Sequence, residues 1–356
     1  MTWEWQQLAA RFEEGEGALI TATPEQRLLT HFAVEDATVL VARDAAVLVT
    51  DSRYIEAATR DVKAMEVLCP RRFYDEIRDW LAAHGVSRLQ VQARQMSLAS
   101  FAAWKNALPA VTLSNSGRLD EWLAAIRTVK SVDQIAAIRA AQALTDDGFS
   151  YILTRMEAGR TEREIALDLE FYMRRQGADG MAFDCIVVAG ENGSLPHGVP
   201  GNRPLRRGDL VTMDFGAKLD GWHSDMTRTV AVGEVADWQR EIYDTVLAAQ
   251  TACLNGLKAG MTCAAGDALA RDVIKAAGYG DYFGHSTGHG VGLQIHEAPS
   301  LSPGGGERVL QAGEVVTVEP GIYLPGRGGV RIEDMAVITA DGIENLTKSP
   351  KNLIIL

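Results

Sequence analysis

The sequence predicts two mixed α/β (α+β) domains: a small amino-terminal one and a larger one made of two related halves. Its 356 residues suit about two domains. Residues 1–125 alternate short helical and strand patterns, whereas two stretches of 126–356 repeat each other. Gly208-Asp209-Leu210-Val211-Thr212-Met213-Asp214-Phe215-Gly216 aligns with Gly313-Glu314-Val315-Val316-Thr317-Val318-Glu319-Pro320-Gly321, keeping an acid at the end of an apolar run. Upstream, Ala158-Gly159-Arg160-Thr161 matches Ala259-Gly260-Met261-Thr262, and each threonine precedes a glycine, Gly177 or Gly278, by sixteen residues. Such a repeat implies two units of the same build. The alternative is chance similarity between two ordinary αβ units.

Composition narrows the function classes. Hydrophobic residues make up 47% of the chain, enough for real cores. No apolar run approaches the roughly 20 residues needed to span a bilayer. The amino-terminal stretch is acidic and amphipathic, without a basic n-region or an apolar h-region, so no signal peptide is expected. A formal net charge of -12 argues against nucleic acid or anionic lipid as the main partner. Cys69, Cys185, Cys253 and Cys263 are scattered without CxxC spacing. They suit buried small hydrophobes in a reducing, cytoplasmic compartment better than disulfides or a zinc ribbon.

In the first domain a helix up to Glu14 precedes a strand at Ala18 to Thr21. Ala37 to Ala42 and Ala45 to Thr50 read as a hairpin turning at Arg43-Asp44. Asp51-Ser52-Arg53-Tyr54, at its end, either reaches a neighbouring site or closes the strand in solvent. Tyr74 to His84 is helical, Leu89 to Gln92 a short strand, and Leu98 to Ala107 a helix capped by Ser97. His31 and His84 stand alone and read as structural.

A joint is expected near Arg127-Thr128-Val129-Lys130. Ser131 and Gln134 form a capping-box pattern that opens a long helix to about Met156, and Thr161 with Glu164 opens another. Phe183 to Ala189 is a strand, and Pro196-His197-Gly198 lies in a loop where a substrate could sit. Asp237 to Leu257 and Ala264 to Ala277 supply the second pair of helices.

The chemistry concentrates between Phe183 and Val337, which hold five of the seven histidines, His197, His223, His285, His289 and His296. An apolar strand delivers Asp214, Asp220-Gly221 makes a turn, and a second strand delivers Asp225. Carboxylates eleven residues apart across a hairpin can converge. Glycine is dense from Phe283 to Pro299, as expected where backbone approaches an ion or substrate closely. Glu319 ends one apolar run and Glu333 sits in the next. Four carboxylates with one imidazole make an oxygen-rich donor set, and carboxylates can bridge two cations. That is too many ligands for one catalytic zinc, which takes three and a water. Two divalent ions fit the count better. Read otherwise, the acids are exposed strand ends and the histidines scattered polar residues.

Asp214 and Asp225, Gly288-His289-Gly290-Val291-Gly292, His296-Glu297-Ala298-Pro299, Glu319-Pro320-Gly321 and Arg331-Ile332-Glu333-Asp334 together resemble the pita-bread metallopeptidases, particularly prolidases and aminopeptidase P. The likeness covers essentially the whole chain and implies a small amino-terminal α/β domain followed by a pseudo-two-fold pita-bread domain. It implies that Asp214 chelates one ion, Asp225 and Glu333 bridge, and His289 with Glu319 holds the other. It also implies that His197 and His296 flank the scissile bond. His285 would line the proline side of the pocket, or serve as a packing residue. Arg331 would support the site and the substrate's carboxyl end, while His223 has no counterpart and reads as a surface or supporting residue.

The activity so implied is hydrolysis of a peptide bond to a proline in second position, in a homodimer, with Glu319 moving the proton to the leaving nitrogen. Mn²⁺ suits the oxygen-rich ligands, and the imidazole permits Co²⁺ or Zn²⁺. An Xaa-Pro dipeptidase is the leading expectation and an Xaa-Pro aminopeptidase the next. A non-enzymatic binding module on the same fold is the alternative from another class. Methionine aminopeptidases lack the amino-terminal domain, and creatinase lacks the metals.

Overall fold

In the computed structural model, which describes residues 3–32 and 36–356, the chain divides into two units, Met1–Arg127 and Thr128–Leu356. The first contains α1 (Glu4–Ala9), β1 (Glu16–Ile20), α2 (Thr23–Thr30), β2 (Thr38–Val41), β3 (Ala46–Val49), α3 (Ile55–Asp61), β4 (Glu66–Leu68), α4 (Phe73–Ala83), β5 (Arg88–Val91), α5 (Leu98–Ala107), β6 (Thr112–Ser114) and α6 (Arg118–Thr128). Its six strands form one sheet in the order β4-β3-β2-β1-β5-β6. β1, β2 and β3 pair antiparallel, and the outer pairings are parallel. Every residue of β1, β2 and β3 is buried, which explains why these strands read as continuous apolar runs rather than alternating ones. Leu19, Leu40, Val47, Ile77, Leu81, Leu89 and Trp104 pack together as the core.

Several elements differ from expectation. α1 stops at Ala9 rather than Glu14, whereas α6 ends at Thr128, inside the segment expected to be a joint, where the two units divide. His31 sits 3.1 Å from Glu4 and against the Trp3 ring, and His84 lies tilted against the Trp80 ring, so both are structural as expected. Arg53 pairs with Asp51 and Asp36 and lies over Tyr54, so this corner is a solvated ion cluster. Of the cysteines, Cys253 and Cys263 are buried as expected, whereas Cys185 is half-buried and Cys69 exposed.

The second unit opens with α7 (Val132–Leu153) and α8 (Glu162–Arg175). Ser131 and Thr161 each accept the N–H three residues on, while Gln134 and Glu164 reach back to complete the capping boxes. Then come β7 (Gly180–Met181), β8 (Ile186–Ala189), β9 (Leu210–Phe215), β10 (Ala217–Leu219), β11 (Trp222–His223) and β12 (Met226–Ala231). The long helices α9 (Asp237–Gly256) and α10 (Cys263–Ala276) follow. The chain ends with β13 (Gly288–Gly290), β14 (Glu297–Leu301), β15 (Val315–Val318), β16 (Gly321–Leu324), β17 (Gly328–Arg331), β18 (Asp334–Ile338) and β19 (Ile343–Asn345). One sheet has the order β12-β9-β8 and another β14-β13-β15-β18-β19.

The repeat seen in the sequence is a repeat of hydrogen bonds. Gly159 N–H donates to Leu205 O and Leu205 N–H to Arg160 O; Gly260 N–H donates to Leu310 O and Leu310 N–H to Met261 O. Thr161 bridges Pro204 as Thr262 bridges Val309. Each threonine then caps the following helix. Each half also has its own core. Phe149, Ile165, Leu169, Met213 and Phe215 pack in the first, and Ile242, Val246, Ile274, Val316 and Val318 in the second.

Candidate metal centre

In each half, one acid stands within a residue of the end of a strand and a second acid immediately precedes the strand that pairs with it. β9 carries Asp214 near its end, and Asp225 stands just before β12, whose Thr227 lies opposite Asp214. Between them the chain reverses through Asp220 and Gly221 at φ 48° and 73°, dihedrals that asparagine, aspartate and glycine tolerate best. Glu319 follows β15, and Glu333 stands between β17 and β18 rather than within an apolar run. The two sheets meet where Glu333 N–H donates to Thr227 O at 3.0 Å. Four acids from two halves thereby face one cavity.

That cavity has a volume of about 520 Å³. It is lined by Asp214, Asp225, His289, Glu319 and Glu333, and also by His197, His285, His296 and Arg331. Every site residue expected from the sequence therefore borders the same space. His223 does not; it is buried, and its backbone and ring bond to the Gly292 carbonyl, which secures the segment after His289. Phe183, Ile186, Val199 and Ile295 add apolar wall.

One atom each from Asp225, His289 and Glu333 can be chosen so that all lie within 4.8 Å of one another. His289 Nε2 is 3.6 Å from Asp225 Oδ2 and 3.4 Å from Glu319 Oε1. Its Nδ1 faces the Gly290 carbonyl at 3.1 Å, which places the proton on Nδ1 and leaves the Nε2 lone pair toward the acids. Burial holds this imidazole neutral, with its pKa lowered to about 4. The close approach of β13 to β15 depends on Gly288, where a Cβ would stand 1.9 Å from Thr317 O.

The acids are oriented by their neighbours. Arg331 Nη2 donates to Asp214 Oδ2 at 2.7 Å, leaving Oδ1 buried with no hydrogen-bond partner among the described residues. Thr227 Oγ1 donates to Glu333 Oε2 at 2.7 Å, and Glu333 Oε1 is likewise buried and unpartnered. Thr317 accepts from His289 N–H and donates to Glu319 Oε1. A buried carboxylate oxygen without a donor is costly. Burial, followed by the charges of Asp214 and Glu319, pushes the Asp225 carboxyl well above its usual range. Burial and then Asp225 do the same to Glu333, and burial raises Glu319 to about 8. Arg331 brings a single positive charge to these four acids. Divalent cations would supply the rest, with the unpartnered oxygens and His289 Nε2 as ready donors.

The remaining groups form walls. Arg331 has each of its nitrogens on a protein oxygen: Asp214, Tyr323 Oη at 2.8 Å and Thr227 Oγ1 at 3.0 Å. Of the two roles expected of Arg331, this favours supporting the site over reaching a substrate carboxylate. His285 Nδ1 faces Ser286 O, and Nε2 lies 2.8 Å from Tyr323 Oη. The proton order is therefore Arg331 to Tyr323, Tyr323 to His285 and His285 to Ser286. His285 is neutral, its pKa lowered by burial to about 4. His296 is exposed, its ring 4.4 Å from that of His289. His197 is also exposed.

Sequence reasoning missed Thr227, Thr317 and Tyr323. Two of them were readable, since Thr227 lies two residues beyond Asp225 and Thr317 two before Glu319. In a strand that spacing returns to the same face. Tyr323 offers no such signal.

Comparison with known proteins points the same way. Residues 136–340 match the model of metallopeptidase family M24, and residues 7–129 match the creatinase/prolidase N-terminal domain. An Xaa-Pro dipeptidase of Pyrococcus furiosus is 44% identical over 237 residues, 67% of this chain and 68% of that protein. A solved Xaa-Pro dipeptidase from Bacillus anthracis superposes with a TM-score of 0.94 and 41% identity, covering 99% of both chains. An X-Pro aminopeptidase from Thermotoga maritima does so with a TM-score of 0.91 and 33% identity, covering 98% of this chain and 100% of the other.

Proposed function

The chain belongs to metallopeptidase family M24, with a creatinase/prolidase amino-terminal domain and a pita-bread catalytic domain, and on that premise we propose that it is an Xaa-Pro dipeptidase. Residues 1–125 and 126–356 are the two domains in this reading. The observation that carries it is the cavity where four acids and the free Nε2 of His289 converge, with buried unpartnered oxygens on Asp214 and Glu333. As an M24 enzyme it is a hydrolase that uses divalent metal ions. We assign two, held by Asp214, Asp225, His289, Glu319 and Glu333. Mn²⁺ suits the carboxylate-rich set best, with Co²⁺ or Zn²⁺ admissible.

Bound there, the cations would polarise the scissile carbonyl and acidify water. Glu319 takes the proton of the attacking water and returns it to the leaving nitrogen. His197 and His296 stand on the cavity walls to hydrogen-bond the substrate about the scissile bond. His285, neutral and held by Tyr323, faces the proline ring. A bond to proline offers no N–H, so the apolar wall of Phe183, Ile186, Val199 and Ile295 selects by shape. Arg331 acts through Asp214, whose free oxygen it aims into the cavity.

One observation favours aminopeptidase P as a second reading. Phe183, Asp184, Cys185 and Pro200 also border a second hollow of about 370 Å³, room for residues beyond the proline. Hydrolysis of Ala-Pro beside Ala-Pro-Ala and Ala-Ala by the Mn²⁺-loaded protein tests both. Cleavage of Ala-Pro alone is the expected result, cleavage of the tripeptide makes the enzyme an aminopeptidase, and cleavage of none with two metals bound overturns the proline assignment. The homodimer is carried by the family likeness and the cytoplasmic location by the scattered, unpaired cysteines. Light scattering checks the first and cell fractionation the second. No helix among the described residues is long and apolar enough to cross a membrane.

A further inference from the structure

Glu162, the first residue of α8, is fully buried, and its partners are all N–H groups. Its Oε1 accepts from Ala189 N–H at 2.8 Å and from Asn192 Nδ2 at 3.0 Å, and its Oε2 accepts from Gly201 N–H at 3.0 Å. Ala189 ends β8 and Gly201 closes the loop after it. One carboxylate thus ties both ends and the interior of the loop 190–201, which presents His197, Gly198 and Val199 to the cavity.

The His197 ring is exposed, and no hydrogen bond among the described residues involves it. Its position is therefore set by the backbone that carries it. Within the loop, Leu195 N–H donates to Asn192 O and Gly198 N–H to Leu195 O, so the fold around His197 is built outward from Asn192. Asn192 in turn is held by Glu162.

The pseudo-repeat supplies an internal control. Thr161 corresponds to Thr262, so Glu162 corresponds to Cys263. Both residues donate their N–H to a loop carbonyl, Arg203 O at 3.1 Å and Arg308 O at 2.7 Å, and both open a helix under a threonine cap. The turn and cap therefore form without a carboxylate. Only the half that carries the 190–201 loop has one.

We propose that Glu162 is a positioning residue that clamps the 190–201 loop and so holds His197 at the cavity wall. The kinetic part rests on the reading of His197 as a substrate contact. The clamp itself rests on the hydrogen bonds alone. Glu162→Gln keeps the shape but turns an amide N–H₂ toward at least one N–H donor.

The test uses the full chain loaded with Mn²⁺, in wild-type, Glu162→Gln, His197→Ala and doubly substituted forms. Hydrogen exchange in peptides covering 189–201 should quicken about tenfold in Glu162→Gln, with metal content unchanged. Turnover of Ala-Pro should fall about ten- to a hundredfold, the scale of a misplaced contact, with KM moving much less. The double variant should be no slower than His197→Ala alone. Asn192→Ala removes one donor of three and should repeat the pattern more weakly, which decides the matter if Glu162→Gln fails to fold. Unchanged exchange at 189–201, or a double variant slower by the full product of the single losses, overturns the proposal. If the wild-type protein cleaves no Xaa-Pro peptide, the functional reading fails, and the exchange result still decides the clamp.

Discussion

Glu319→Gln should stabilise the metal-free protein at alkaline pH while abolishing activity. In the absence of cations the Glu319 carboxyl titrates near 8 instead of 4.5, raised first by burial and further by Asp214. A folded pKa above the unfolded one means that the folded state holds the proton longer. Stability is therefore intact below about pH 4.5, falls as pH rises, and is lowest above pH 8. The full penalty is about 5 kcal/mol at 1.36 kcal/mol per tenfold step. Water in the cavity reaches a side chain that is 15% exposed, so this is an upper figure. Glutamine carries no charge at any pH and still accepts from Thr317. In EDTA, Glu319→Gln should exceed wild type by about 2–5 kcal/mol at pH 8.5, or roughly 5–15 °C in Tm for a unit of this size. At pH 5.5 the gain should shrink to about 1 kcal/mol. Adding Mn²⁺ should then raise the wild-type Tm more than that of the variant. A Glu319→Gln protein that melts at or below wild type at pH 8.5, or gains equally at both pH values, would refute the view of an acidic cluster that Arg331 alone does not balance.

Three further outcomes are expected. Thr227→Val removes the donor to Glu333 Oε2 and the acceptor of Arg331 Nε; metal affinity should weaken about ten- to a hundredfold in a chelator competition, and an unchanged affinity counts against this role. Arg228→Met deprives Asp334 of a buried partner and the Glu333, Ser349 and Pro350 carbonyls of their donor. Urea unfolding should register a loss of about 3–5 kcal/mol, and a loss under about 1 kcal/mol would contradict it. His296→Ala should cut turnover about a hundredfold with metal content near wild type, as seen by elemental analysis, and full activity would remove it from the site.

Asp214 and Glu319 were legible because each sits where an apolar run stops, and such punctuation survives in a bare sequence; Asp225 and Glu333 were legible as the acids that stand just before the next strand. The long helices were legible for a related reason. Ser131 with Gln134 and Thr161 with Glu164 write their own start signals. Glu162 lies inside the second of these signals, where an acid in the first helical turn carries no mark of its own. Its loop partners are 27 to 39 residues away, a separation that local pattern does not encode. The same applies to Tyr323, which meets His285 across 38 residues. α3 is short and mostly exposed, so it lacks the apolar stripe on which periodicity depends. Cys69 was misread as buried because composition reports what a residue type prefers, whereas exposure at one position is a tertiary fact.

The division of acids between two repeats also bears on the order in which the protein is made. Asp214 and Asp225 leave the ribosome about a hundred residues before Glu319 and Glu333. A nascent chain carrying only the first half presents two acids without the imidazole or the partner strand, and Glu333 is not yet there to meet Thr227. Arg228 waits still longer, since Ser349 and Pro350 follow it by 121 and 122 residues. Metal ions therefore have no complete seat to template early folding. The first-half core itself is closed only by Ile354 and Leu356 at the end of the chain, so the seat for the ions is complete only once nearly all of the chain has been made.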